Sequence, residues 1–457
     1  MKIKIANYKQ TIILIGIFML VYCVLLMNDI LNSNILILLG FIIIGIQSIY
    51  EIIKDNRVIS LNKFYWYFQL IFMSITPLGQ YISAYYPWGV YIDESDFEMS
   101  ILFVLIWNII YSYSYTQKIY IKNNFLSQNM DKYLISRRKT TNAFMFFIML
   151  SSVCCFFILI EFVGFQNLFF RNENLLDISN STINFLLRKF LTAFPAIICA
   201  IFLLQKQKNI YINAAIFILF LITLCSNFPT STTRYWMGTI FLGLFIIKFI
   251  NNKKSRIMDF IILMSILVIF PIMYIFKTKN IYDFIINKYE INDTINSFNT
   301  IDFDAFTLIA RSIRYVRENG ITWGEQLINV VLFFIPRNLW VDKPITTNVL
   351  IAGSQNQAFT NLSCPLPAEG YVNFGIIGII LYAYLYAKIN RYIDNLYWND
   401  NHININNTIL CIIYPFLCPI TIYINRGPLQ PSFIQTIALM MPLILISAFW
   451  KKHKQNI

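Results

Sequence analysis

Residues 327–348, LINVVLFFIPRNLWVDKPITTN, join an apolar run to side chains that could bind an anionic substrate. Arg337 carries a planar guanidinium that can hold two oxygens of one phosphate group, and Lys343 adds a second positive charge. Trp340 has a flat face on which the apolar side of a sugar ring or an isoprenoid tail could lie. The alternative is an anchoring role, because Trp and basic residues also mark the interface between membrane and water.

A second group of cations precedes this segment and has helical spacing. The apolar members are Phe306, Ile309, Ile313 and Val316, and the arginines are Arg311, Arg314 and Arg317. Spacings of three and four place the apolar members on one face of a helix and the arginines on another. Gly320 is a suitable residue to end that helix. The pattern predicts an amphipathic helix at the membrane interface, whose arginines contact either a substrate or lipid headgroups.

The apolar stretch 326–335 is only about ten residues long, and a membrane span needs about 20. A short segment of this kind can enter the membrane and return where protein or a water-filled cavity satisfies its backbone. Pro336 would end its helix, so that Arg337 emerges at the rim of the cavity. The sequence therefore predicts a short re-entrant segment directly before the Arg337 motif.

The composition identifies the class of protein that holds these residues. Of 457 residues 57% are hydrophobic and 13% are charged, and the mean hydropathy is +0.59. These values are typical of an all-α polytopic membrane protein. Apolar runs predict twelve spans near residues 10–27, 31–53, 64–84, 97–117, 141–162, 184–204, 209–226, 235–250, 257–276, 371–388, 405–424 and 433–450.

The distribution of Lys and Arg predicts the orientation of these spans. Most of the 36 basic residues fall in segments that share one side with both termini, and basic residues are retained on the cytoplasmic side. The N- and C-termini are therefore expected in the cytoplasm. This topology divides the chain into an N-terminal bundle at 1–276, a large extracytoplasmic loop at 277–370 and a C-terminal bundle at 371–457. The net charge of +13 is explained by topology, so it predicts no nucleic-acid partner.

Metal and cofactor chemistry is not expected at the outer face. His402 and His453 both fall in predicted cytoplasmic segments, so no cluster of His and Cys can form outside. Most of the eight cysteines lie in or beside spans without a C-x-x-C pair, as expected of small buried hydrophobic residues. The sequence predicts neither a metal nor a cofactor.

The motifs FIPRNLW, DKP and AEGYVNFGIIG (368–378) follow one another across the large loop into the next span. Their order resembles that of the O-antigen and oligosaccharide repeat-unit polymerases of the Wzy type, over residues 311–378. The expected architecture also resembles that of GT-C-type glycosyltransferases. The resemblance implies transfer of a growing glycan from undecaprenyl pyrophosphate to a second lipid-linked repeat unit, at the extracytoplasmic face of a bacterial inner membrane. The partners implied are the two lipid-linked glycans, the lipid bilayer and a chain-length regulator.

This reaction would release a lipid pyrophosphate, whose charge can be stabilised by positioned cations. The residues assigned to pyrophosphate binding are Arg337, Lys343, Arg234, Arg426, Arg311 and Arg314, and Arg337 is also assigned to catalysis. Arg234 in PTSTTRYWMG and Arg426 in INRGPLQPSF each begin or end a predicted span at the outer face. Trp340 and Tyr371 are the candidates for contact with sugar or lipid.

A base must also remove the proton of the acceptor hydroxyl. Glu369, in the matched pattern, could face the same cavity from the start of a span. Alternatively it is an acid favoured at a helix N-terminus by the helix dipole. The outer segment YIDESDFEMS (91–100) could supply a base or a metal site, but it also has the pattern of a solvated turn with acids at a helix start.

Two further functions fit a multi-span protein with outer cations. A flippase of lipid-linked oligosaccharide would be expected to contain a two-fold repeat and charges deep within its spans. The sequence shows no such repeat, and charges in the middle of its spans are scarce. An O-antigen ligase shares the carrier chemistry, but such ligases carry an outer-loop histidine that the predicted loop lacks. Both functions remain alternatives to polymerisation.

Overall fold

The computed structural model describes residues 34–89, 92–117, 142–169, 182–205, 209–250, 255–273, 300–357, 359–398 and 409–455. The regular secondary structure of these residues is helical throughout. Eight of their helices are long and apolar enough to cross a membrane: Ile35–Lys54, Glu94–Thr116, Phe144–Val163, Thr182–Leu203, Ser255–Met273, Leu366–Trp398, Ile409–Arg426 and Leu429–Ser447. The expectation of a polytopic helical membrane protein is confirmed at this level.

The helices are numbered in chain order through the described residues. The first nine are α1 (Ile35–Lys54), α2 (Leu61–Leu70), α3 (Thr76–Ile82), α4 (Glu94–Thr116), α5 (Asn142–Val163), α6 (Thr182–Leu203), α7 (Ile210–Ser226), α8 (Arg234–Phe249) and α9 (Ser255–Met264). A π-helical turn, Ile71–Ile75, joins α2 to α3, and a second one, Ser265–Ile269, extends α9. The predicted span 64–84 corresponds to α2 and α3, and the predicted spans 209–226 and 235–250 correspond to α7 and α8. The span predicted at 10–27 lies outside the described residues.

The remaining helices belong to the large loop and the C-terminal bundle. They are α10 (Ala305–Asn319), α11 (Glu325–Val331), α12 (Thr347–Ser354), α13 (Leu366–Trp398), α14 (Ile409–Arg426) and α15 (Leu429–Gln455). Residues 300–357 therefore fold into a short 3-10 turn, Ile301–Phe303, and three α-helices, and the polar portion at 277–299 lies outside the described residues.

Contacts between helix ends fall into two groups, one at each end of the bundle, and the predicted loops alternate between these two ends along the chain. At one end, Asn34 before α1 donates its side-chain amide to Glu98 of α4 (2.8 Å), and the Trp88 indole donates to Asp304 (2.8 Å). At the other end, Lys63 of α2 pairs with Asp259 of α9 (2.8 Å). We call these the outer end and the inner end, after the sides on which the sequence predicts them.

Helix α10 has the predicted bounds and is partly covered by neighbouring helices. It ends at Gly320, which has a positive φ of 84°, and Phe306 and Ile309 are fully buried as expected. Arg311 is also buried, with only 2% of its surface exposed, because α10 packs against both α4 and α13. The predicted amphipathic helix is present, and protein covers most of its first ten residues, while its position at the membrane interface stays a prediction.

The segment predicted to be re-entrant forms only a short helix. α11 ends at Val331, and Pro336 begins a separate turn in which Leu339 and Trp340 donate their backbone N–H groups to the Pro336 carbonyl (3.0 and 3.2 Å). Pro336 is therefore the first residue of a turn and does not terminate the helix. Arg337 lies within this turn.

Helix α13 begins five residues before the predicted span and is interrupted at Phe374–Gly375. Gly375 adopts a φ of 63°, which is unfavourable for other residues, and the backbone carbonyls of Gly370 and Gly378 approach so closely that a side chain would not fit. A Cβ at Gly378 would lie 1.9 Å from the Gly370 carbonyl oxygen. The break separates a short helical piece containing Glu369 from the long helix that follows.

Candidate functional site

Two of the predicted arginines meet at the outer end on one acidic segment, Ile301–Asp304. Arg426, at the end of α14, pairs with Asp304 (2.8 Å) and also donates to the carbonyls of Asp302 (3.1 Å) and Ile301 (2.8 Å). Arg234, at the start of α8, pairs with Asp302 and donates to the Phe270 carbonyl (3.1 Å). Guanidiniums from segments almost 200 residues apart therefore share one binding partner.

Further donors from other helices fix the acidic segment. The Tyr235 hydroxyl donates to the Asp302 carbonyl (2.6 Å), and the Gln80 amide donates to the Phe303 carbonyl (3.1 Å). The second oxygen of Asp304 accepts from Trp88 (2.8 Å) and from the backbone of Ser363 (3.3 Å). The Asp304 carboxylate is thus fully buried with partners on both oxygens, which offsets the cost of removing its charge from water.

Arg311 on α10 lies near this group, since Asp304 influences its pKa, but it forms no ion pair with either aspartate among the described contacts. Its Nε donates to Gln355 (2.6 Å), but both terminal nitrogens are buried without a hydrogen-bond partner among the described residues. Burial lowers the pKa of Arg311 to about 10, while Asp304 opposes this shift and Arg314 adds to it. We call Arg234, Arg426 and Arg311 together the arginine cluster. It sets three positive charges against the carboxylates of Asp302 and Asp304.

Lys343 and Arg337 lie together on the turn that follows α11. The Lys343 ammonium is buried and donates to the carbonyls of Phe333 (2.9 Å) and Ile335 (2.8 Å). Burial lowers its pKa, and Arg337 adds to the shift. Its charge is therefore directed at the backbone of its own loop, so the expected contact with a phosphate is not supported by its position. Lys343 instead closes the loop that carries Arg337.

Arg337 is exposed and donates to the Lys343 carbonyl (2.9 Å). No contact among the described residues joins it to the arginine cluster. Trp340, on the same turn, is half-buried. Of the six predicted cations, the described contacts therefore bring Arg234 and Arg426 together, with Arg311 nearby, and they do not include Arg337.

The remaining candidates lie on the surface of α10 and along α13. Arg314 is exposed and pairs with Glu318 one turn away (2.9 Å). Arg317 extends to the buried carboxylate of Asp96 on α4, with contacts of 2.9 and 3.0 Å. Tyr371 packs its ring against Phe103, 4.7 Å between centroids. Arg314 and Arg317 both keep about half of the side chain exposed, 48% and 52%, and each is already paired with a carboxylate.

Glu369 is buried, with 2% of its surface exposed. Its carboxylate accepts hydrogen bonds from the Thr347 hydroxyl, from the backbone N–H of Leu429 (3.0 Å) and from the Cys364 thiol. Burial raises the pKa of that thiol, and the neighbouring Glu369 adds to the effect. Glu369 thereby ties α12, the loop before α13 and the start of α15 together.

The described part of the acidic segment, residues 92–100, has the structure of a helix start. α4 begins at Glu94, Asp96 is buried against Arg317, and Glu98 accepts from Asn34. Within the described part of the chain, no group of three or more His, Cys, Asp or Glu side chains is arranged to hold a metal ion. This segment therefore contributes packing and ion pairs at the outer end.

Sequence reasoning did not identify Asp302 and Asp304, the partners of the arginine cluster. The available signal was the pair of acids in IDFDAF, directly before a basic helix. It also did not identify a buried network at the inner end, where Lys63 and Arg256 surround Asp259 and Arg57 contacts Asp394.

No family model, curated protein or solved structure matches this chain. Any assignment of function therefore depends on the residue patterns and on the geometry at the two ends of the bundle. Three of the cations predicted from the sequence, Arg234, Arg426 and Arg311, form the arginine cluster, so the outer end is the candidate site.

Proposed function

We propose that the chain is a membrane glycosyltransferase that polymerises oligosaccharide repeat units carried on undecaprenyl pyrophosphate. The active face would be extracytoplasmic, and the complete bundle would contain the twelve predicted spans. The observation that carries the proposal is the convergence of Arg234 and Arg426 on one short segment at the outer end, with the buried Arg311 close enough for Asp304 to influence its pKa.

The arginine cluster suits a reaction in which a diphosphate leaves. The acceptor hydroxyl oxygen forms a bond to the anomeric carbon of the donor glycan, and the bond from that carbon to the pyrophosphate oxygen breaks. The electron pair of the broken bond stays on the pyrophosphate, and the hydroxyl proton passes to a base. Guanidiniums stabilise the charge that develops on the leaving oxygen, and one positioned donor contributes about 2.7–4 kcal/mol in comparable sites.

Asp302 and Asp304 would hold the arginines in position before substrate arrives. Two carboxylates do not balance three guanidiniums, so the cluster retains positive charge. The terminal nitrogens of Arg311 are buried without a hydrogen-bond partner among the described residues, so once the site opens, a phosphate oxygen could bind them without breaking an existing hydrogen bond. Arg234 and Arg426 would then bind the diphosphate while they remain paired with the two aspartates.

The exposed turn around Arg337 would act at a separate step. Arg337 and Trp340 face outward from a loop that Lys343 closes, which suits capture of a second lipid-linked glycan by its phosphate and sugar. Glu369 would position the neighbouring segments, because its carboxylate is already engaged by three donors.

The test is deletion of the gene followed by electrophoresis of surface polysaccharide and extraction of lipid carriers. A polymerase deletion leaves single repeat units attached to the surface glycolipid. Trapping of repeat units on the inner leaflet would indicate a flippase, and long chains retained on the carrier would indicate a ligase. Either of these outcomes contradicts the proposal.

Complementation with variants tests the site itself. Arg311→Gln is expected to lose polymer, because the uncharged amide cannot stabilise the leaving diphosphate. Arg314→Gln lies on the same helix but is exposed and paired with Glu318, so it should restore normal chain lengths. Normal polymer from Arg311→Gln would remove the arginine cluster from the mechanism.

A further inference from the structure

A polar cleft of about 340 Å³ opens at the inner end of the bundle, remote from the arginine cluster. It lies where α1, α4 and α13 end, and its lining includes Lys54, Arg57 and Arg391. Neither the sequence motifs nor the proposed reaction assigns a role to this inner cleft. Its size is at the lower limit for ligand sites and fits a compact polar group.

The cations of the inner cleft are paired to different degrees. Lys54 pairs with Glu51 (3.1 Å), and Arg57 pairs with Asp55 and lies 3.5 Å from Asp394. Arg391 has no ion pair among the described residues, and its buried Nε has no hydrogen-bond partner there. The cleft therefore contains one guanidinium available to an anion.

Tyr115 fixes the orientation of that guanidinium. The guanidinium carbon of Arg391 lies 5.3 Å from the centroid of the Tyr115 ring, and that of Arg57 lies 5.8 Å from the same centroid. The Tyr115 hydroxyl donates to Asp394 (2.5 Å), which holds the ring in place. Arginine stacked on an aromatic ring loses less freedom on binding, so Arg391 is preorganised to accept an oxyanion.

Exposed aromatic side chains next to the cleft indicate that the anion belongs to a lipid. Tyr50 on α1 and Tyr113 on α4 are 60% and 67% exposed, and they lie one turn before Lys54 and Thr116, which line the cleft. In a membrane these side chains face acyl chains. A molecule that places a phosphate in the polar cleft and a hydrocarbon chain beside these exposed residues would contact both surfaces.

We propose that the inner cleft binds the phosphate headgroup of one anionic phospholipid, with Arg391 as its principal contact. The expected cytoplasmic leaflet is rich in such lipids, which basic residues near the membrane surface attract. Because the site lies at the opposite end from the arginine cluster, this proposal does not depend on the glycosyltransferase assignment.

Native mass spectrometry of the purified full chain in detergent, titrated with phosphatidylglycerol, tests the proposal. The wild type is expected to retain one phosphatidylglycerol more tightly than phosphatidylcholine. Arg391→Gln should bind it about tenfold more weakly, the effect of losing one charge-assisted hydrogen bond. Arg391→Lys keeps the charge and should show a smaller loss.

Arg314→Gln is the matched control, because it removes an arginine from the outer end and should leave phosphatidylglycerol binding unchanged. Equal thermal unfolding of the variants excludes misfolding as the cause. Wild-type affinity in Arg391→Gln would overturn the proposal. Displacement of the lipid by equimolar inorganic phosphate would also overturn it, since the site would then recognise a soluble anion.

Discussion

At the scale of single residues, burial separates side chains that the sequence presents as equivalent cations. The six predicted pyrophosphate ligands are the buried Arg234 and Arg311, the partly buried Arg426, the inward-facing Lys343, and the exposed Arg337 and Arg314. Their place at the outer end was predictable, because membrane topology follows from the distribution of basic residues. Their partners were not, since Asp302 and Asp304 meet arginines that lie 68 and 122 residues away in the chain.

Glu369 is the residue for which a positioning role and a role as base make different predictions. Glu369→Gln keeps an acceptor for Thr347 or Leu429, so it should remain folded and still produce polymer. Glu369→Ala leaves buried donors without an acceptor and should lower the free energy of unfolding by about 1–3 kcal/mol. Thermal unfolding in detergent, followed by tryptophan fluorescence, measures this loss.

Glu318→Ala provides the control for Glu369, because an exposed carboxylate paired with Arg314 contributes little to stability. Its unfolding temperature should stay close to that of the wild type. A Glu369→Gln variant that is as stable as the wild type but makes no polymer would assign Glu369 to proton removal instead.

At the scale of elements, helix positions followed from the apolar pattern, but interruptions and contacts between helices did not. The spans predicted at 31–53 and 97–117 correspond to α1 and α4 within a few residues. Helix α10 begins and ends as its spacing indicates, yet the pattern could not reveal that α4 and α13 cover it on both sides. Periodicity reports how apolar residues are arranged along one helix and carries no information on which other helices pack against it.

The break in α13 depends on two glycines whose backbones touch. Gly378→Ala should destabilise the fold, because its Cβ would lie 1.9 Å from the Gly370 carbonyl and the backbone cannot move away without opening the turn. We expect a loss of about 1–3 kcal/mol, the usual range for overpacking a tight contact. Chemical denaturation in mixed micelles would measure it.

Gly353→Ala serves as the comparison, since no atom lies within 4 Å of its added Cβ. In the short helix α12 this change should be neutral or stabilising by up to about 1 kcal/mol, because alanine favours the helix more than glycine. Equal stability of the two alanine variants would mean that Gly370 and Gly378 do not touch in solution.

At the scale of the whole molecule, the two ends of the bundle hold different sets of charges. The outer end carries the arginine cluster and the exposed Arg337 turn, whereas the inner end carries the Lys63–Asp259 pair and the inner cleft. These buried ion pairs lie at helix ends, while buried polar side chains farther along the helices, such as Gln69 and Asn108, are uncharged. That arrangement suits chemistry at one face better than passage of a charged substrate through the bundle.

The orientation of the two ends can be tested in intact cells. In a chain whose native cysteines are replaced by alanine, Arg314→Cys should react with a membrane-impermeant maleimide, because Arg314 is exposed at the outer end. Lys54→Cys should react only after the cells are permeabilised, because Lys54 is exposed at the inner end. Labelled protein is measured by gel shift.

Both positions expose about half of the side chain, so their intrinsic reactivities are comparable and a difference in labelling reports the side of the membrane. Denatured protein, in which both cysteines should label fully, supplies the reference. The opposite pattern would place the arginine cluster in the cytoplasm, where it could not act on glycans delivered to the outer leaflet. The glycosyltransferase proposal therefore requires Arg314→Cys to label first.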